Sequence, residues 1–142
     1  MTYTEGQLLC FTPFIFKNGA KPKKKYFIVL KHFDEYMVLA SLPTSKDHLP
    51  KNSSISSGCI NIPERAINAY VFLPNESVTK SFCFSLPTFV YGEQVDEYNL
   101  KYLNGMDTEI EDLGIIHDNL FFQLKECLKQ SVLIKRKFRK LL

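Results

Sequence analysis

The sequence predicts a mainly β domain, a small barrel or compact curled sheet, with one amphipathic helix near the end of the chain. Three observations carry that expectation. Short β-branched and aromatic runs alternate with turn signals roughly every 8–15 residues, the spacing of small all-β folds. From residue 118 to 136 the apolar residues Leu120, Phe121, Leu124, Cys127, Leu128 and Ile134 recur at three and four, the period of a helix with one buried face. A length of 142 residues with 45% hydrophobic content fits one core, so residues 1–142 form a single domain and a disordered chain is excluded.

The elements follow in order. Gln7 to Phe16 reads as an aromatic-rich strand that bends or ends at Pro13. Asn18-Gly19 and Pro22 make a lysine-rich turn, and Lys25 to Leu30 then forms the clearest strand of the chain. Met37 to Leu42 pairs with it as a hairpin. Pro43 to Ser57 is polar and reads as an exposed working loop. Strand signals resume at 59–62, 68–73, 81–85 and 87–91. Asp118 is the expected N-cap of the 118–136 helix, and residues 135–142 form a basic tail carried into solvent.

Charge is unevenly distributed. Eighteen Lys and Arg against fifteen Asp and Glu give a net +3, too mild to announce a nucleic-acid binder. Lys17, Lys21, Lys23, Lys24, Lys25 and Lys31 nevertheless form one basic stretch, and Lys129, Lys135, Arg136, Lys137, Arg139 and Lys140 another. Between them, residues 93–118 hold eight acids against Lys101 alone, so a polyanion is expected to be steered to one side. Cys10, Cys59, Cys83 and Cys127 show neither metal-ligand spacing nor a disulfide framework and read as free thiols. His32, His48 and His117 are too dispersed for a metal cluster, so neither metal nor cofactor is expected. The absence of a leader pattern and of an apolar run near 20 residues points to a cytoplasmic protein with no membrane span. The P-loop, Rossmann, zincin and serine-hydrolase signatures are missing.

Thr44-Ser45-Lys46-Asp47-His48 places two hydroxyls, a cation, an acid and an imidazole directly after a buried strand, where binding groups tend to collect. The alternative is a solvated turn whose side chains bond their own backbone. Taken together, Gly6-Gln-Leu-Leu, the loop into Lys25 to Leu30, Leu39-Ala-Ser-Leu-Pro-Thr44 and Phe89-Val-Tyr-Gly-Glu-Gln-Val95 resemble the MazF, PemK and Kid toxin family. The resemblance covers about residues 5–98 in outline and implies a small SH3-like barrel there, packed with a C-terminal helix. It also implies a homodimer acting as a metal-independent endoribonuclease on single-stranded RNA, neutralised by an antitoxin protein.

Carried over by position, Thr44 matches the hydroxyl at the end of the third strand, and Lys25 stands where the family has its catalytic arginine. Gly6-Gln7 replaces a Gly-Asp, and Tyr26 replaces a proline. Under this reading Thr44 and Ser45 donate to phosphate oxygens and Lys25 acts as cation or proton carrier. His48 serves as general acid or base for attack by the 2′-hydroxyl. Lys23, Lys24, Lys46 and Tyr26 bind substrate, the first two also crowding Lys25 so as to lower its pKa. Tyr26, Phe27 and Tyr91 offer faces for bases unless they are core. The alternative function is a non-catalytic module of the same fold that binds nucleic acid or protein. A third reading takes both basic stretches as solubilising surface and the acidic 93–112 face as a protein-binding site.

Overall fold

A computed structural model describes residues 2–42 and 56–142. Thr44, Ser45, Lys46 and His48 lie outside the described residues. The chain forms ten strands, β1 (Gln7–Phe14), β2 (Lys23–His32), β3 (Tyr36–Leu42), β4 (Gly58–Ile62), β5 (Ile67–Phe72), β6 (Ser77–Thr79), β7 (Phe82–Cys83), β8 (Thr88–Tyr91), β9 (Val95–Asn99) and β10 (Glu109–Ile115) among the described residues. Helices α1 (Leu100–Asn104), α2 (Asp118–Lys129) and α3 (Arg136–Arg139) complete it.

The expected β1, β2 and β3 form the centre of a five-stranded antiparallel sheet ordered β10-β1-β2-β3-β9. Pro13 lies where the β1–β2 register shifts, between Phe11 and Phe14, as a residue without an amide donor requires. Side chains alternate across this sheet. Leu8, Ile28, Ala40 and Leu42 share a core with Tyr70, Phe72 and Val90 of the second sheet, β4-β5-β8, and with Leu124 and Leu128 of α2. Leu9, Phe11, Phe27, Val29 and Leu39, on the opposite face, are covered by Leu103 of α1, Tyr98 and Tyr102. Burial on both faces is why the central strands read as unbroken apolar runs.

No ladder among the described residues closes these strands into a barrel; the sheets are open and stacked. The acidic stretch after Gly92, which follows the last strand signal at 87–91, supplies both edges of the large sheet, with β10 beside β1 and β9 beside β3. Edge strands tolerate this chemistry, since one side faces water and charge there discourages pairing with another chain. The expected strand at 81–85 shortens to β7, which pairs with β6.

The C-terminal region also departs from expectation. His117, rather than Asp118, is the N-cap of α2, and Asp118 sits in the first turn, where a carboxylate complements the helix dipole. The helix stops at Lys129 instead of 136. Beyond it Ser131 packs so tightly on Gly92 that a Cβ there would lie 2.4 Å from the serine Oγ. The chain then turns back, burying Ile134 and Phe138 in the first core. The basic tail is thus folded structure, with Arg139 Nη2 donating to the Ser131 carbonyl at 2.6 Å. Cys59 and Cys127, expected as free thiols, form a disulfide that ties β4 to α2 across a sequence separation of 68. Cys10 and Cys83 are free. No described helix is long and apolar enough to cross a membrane.

Candidate nucleic-acid interface

The lysines expected to act together are divided by strand alternation. Phe11 pairs with Lys25 and Cys10 with Tyr26, so consecutive residues of β2 point to opposite faces. Lys24 and Tyr26 share the face of Ile28; Lys23 and Lys25 share that of Phe27. Lys23 and Lys24 are exposed, whereas Lys25 is only 8% exposed. The expected cluster of Lys25 with Lys24 and Tyr26 is therefore split across the sheet. Lys25 precedes Tyr26, which is paired with Leu42 at the end of β3, two residues before Thr44 in sequence.

On the Lys24 face the rings converge. A cavity of about 200 Å³ is lined by Tyr26, Leu42, Phe82, Phe84, Leu86 and Pro87, among others. Tyr26 lies 5.6 Å from Phe84 at 82° and 6.0 Å from Phe82 at 43° between ring centroids, and Phe82 meets Phe84 edge-on at 5.0 Å. Edge-to-face packing holds such rings in fixed orientations. The volume is below the ~300–1,000 Å³ of pockets for drug-sized ligands, which leaves room for a single planar ring. Leu86, 65% exposed, and the free thiol of Cys83 form part of the rim.

Lys24 supplies the charge, its Nζ lying 5.6 Å from the Tyr26 ring centroid. Attraction to Tyr26 raises the Lys24 pKa above its ordinary value, with a smaller contribution from Glu111. The Lys24 ammonium therefore stays protonated. Of the other expected stacking faces, Phe27 and Tyr91 are buried and cannot meet a base. Phe82 and Phe84 line this cavity and are not among the residues that the sequence singles out. Their signal was two aromatics at i and i+2 just before Pro87, which fixes them on one face of any extended segment.

The charge segregation along the sequence does not persist in space. Glu97 of β9 holds Lys137 of α3 at 2.8 Å, and Glu5 lies 3.7 Å from Lys31. The acidic strands β10 and β9 form the two edges of the sheet whose central strand, β2, carries the lysines. His32 packs edge-on to Tyr3, and His117 Nε2 lies 2.8 Å from Ser77 Oγ. That Ser77 hydroxyl already donates to the Thr79 carbonyl at 2.8 Å, so the imidazole is the donor to Ser77 and cannot activate it as a nucleophile. Among the described residues no three His, Cys, Asp or Glu side chains gather as metal ligands.

Comparison with family models, with curated proteins and with solved structures returns no match.

Proposed function

We propose that this chain is a non-catalytic module that binds single-stranded nucleic acid, seating one base against Tyr26, Phe82 and Phe84 while Lys24 meets the adjacent phosphate. The observation that carries the reading is the aromatic-walled, single-ring cavity with an exposed ammonium beside one of its rings. Stacking on aromatic walls tolerates any base, because every base offers a π-face. The two stacked antiparallel sheets with a packed helix support a relative of the SH3-like barrel, opened along its edges. The disulfide favours an oxidising compartment over the cytoplasm expected from the sequence.

Fluorescence polarisation with a labelled 12-mer of oligo(U) tests this reading across a salt series. Affinity is expected to fall with salt, and Lys24→Ala to lower the slope by about 0.7, the value for one phosphate contact on a single strand. Tyr26→Leu, which keeps apolar volume and removes the π-face, should weaken binding about 5- to 150-fold. Absence of binding at low salt, or a Tyr26→Leu variant that binds like the parent, would defeat it.

A second reading, the toxin-like endoribonuclease, is supported by one observation: Lys25 and the residue pair Tyr26–Leu42 lie at the same end of the β2–β3 hairpin, and Thr44 follows Leu42 by two residues. Under it, RNA is cut in EDTA and the Thr44→Ala, Lys25→Ala double variant is inactive, and the protein pairs with itself and with an antitoxin. Intact RNA after prolonged incubation with the parent protein excludes it.

A further inference from the structure

A second cavity, of about 290 Å³, opens on the far side of the large sheet from the Tyr26 groove. Its walls are Phe14, Phe16, Tyr98 and Tyr102, and it is also lined by Asp96 and Lys17. Asp96 and Tyr98 alternate along β9 and so project to the same face. The rings are held before any ligand arrives. Phe14 meets Phe16 at 5.1 Å and 74° and Tyr98 at 5.9 Å and 83°. The Tyr102 hydroxyl donates to the Ile15 carbonyl, and the Thr108 hydroxyl to the Pro13 carbonyl, which tether the 13–16 segment over the cavity.

The chain already places a cation here. Lys17 Nζ lies 4.8 Å from the centroid of the Tyr102 ring, within the distance at which an ammonium is attracted by an aromatic face. Of the two acids nearby, Glu97 is engaged by Lys137 at 2.8 Å. Asp96 uses one oxygen on the backbone N–H of Glu97 and brings negative charge to the cavity wall. A phosphate or carboxylate ligand would meet that charge, whereas an organic cation would be attracted by both the carboxylate and the ring faces. Burial of Tyr98 pushes its hydroxyl up to about 12, so this wall stays an uncharged phenol at neutral pH.

We propose that this cavity is a receptor for an organic cation, an ammonium or guanidinium group, which enters by displacing Lys17 from Tyr102 and lies between the aromatic walls and Asp96. The group has two possible sources, a basic side chain of a partner protein or a free alkylammonium compound. The site is separate from the Tyr26 groove and does not depend on nucleic-acid binding.

The test is a titration of the full-length protein, followed through the backbone amide resonances of residues 16–18 and 96–102. Choline is compared with its uncharged isostere 3,3-dimethyl-1-butanol and with Nα-acetyl-arginine amide, all at constant ionic strength. Choline and the arginine compound should each move these resonances saturably and bind at least threefold tighter than the alcohol. Tighter binding of the arginine compound identifies a basic protein segment as the source, and tighter binding of choline a free amine. Lys17→Met should strengthen cation binding about three- to tenfold, because the internal competitor is gone. Asp96→Asn, which keeps an oxygen for the Glu97 amide, should weaken it by a similar factor. Tyr102→Phe removes the tether to Ile15 and keeps the ring, so it should still bind. Equal binding of the alcohol, a Lys17→Met variant no tighter than the parent, or shifts caused by uridine monophosphate and not by choline would overturn the proposal.

Discussion

The covalent link between Cys59 and Cys127 makes a quantitative claim about stability. It closes a loop with a sequence separation of 68, and the chain-entropy relation then gives about 15 cal/mol/K, or ~4 kcal/mol at 25 °C, removed from the unfolded ensemble. Against the 5–15 kcal/mol typical of a domain, that is a large share of the total. For a chain of this size the loss corresponds to a melting point lower by about 10–15 °C. The assay is urea unfolding with and without a phosphine reductant, read by tyrosine fluorescence because the chain has no tryptophan. Thiol titration supplies the independent count. Cys83 is exposed and Cys10 buried, so one thiol should react in the native protein, two after unfolding and all four only after reduction. Four reactive thiols in the unreduced, unfolded protein, or the same urea midpoint with and without reductant, would refute the reasoning.

Other consequences are as direct. Gly92→Ala should destabilise by ~1–3 kcal/mol in the same urea assay, since the new methyl would fall 2.6 Å from Ser131 Cβ in a packed contact. Tyr98 should ionise well above the ordinary phenol range in a titration at 295 nm, and Tyr98→Phe should remove that late step. Its pKa is raised from 10.0 to about 12 by burial, so the folded state holds the proton longer than the unfolded one. Its contribution to stability is full below pH 10 and is lost as the pH rises toward about 12. Nitrogen-15 correlation spectra of neutral His117 should show the proton on Nε2, the donor to Ser77, and a proton found on Nδ1 would break that assignment.

The sequence by itself determined the elements whose signal is local. The apolar run of β2, the Met37 to Leu42 strand beside it and the three-and-four spacing of α2 are each decided by side chains within one segment. It also gave the class, a mainly β domain with a packed helix. Only the tertiary structure decided the rest, because those features depend on what lies across from a residue. Residues 95–99 and 109–115 look acidic and featureless alone, yet become strands by hydrogen-bonding to the edges that β3 and β1 present. Cys59 and Cys127 are joined because β4 packs under α2, a proximity with no trace in their spacing. Lys24 and Lys25 are neighbours in the chain and on opposite sides of the sheet once β2 pairs. A strand's period of two was legible, but which face held rings, charge and open space was set by the partners that the fold brought to it.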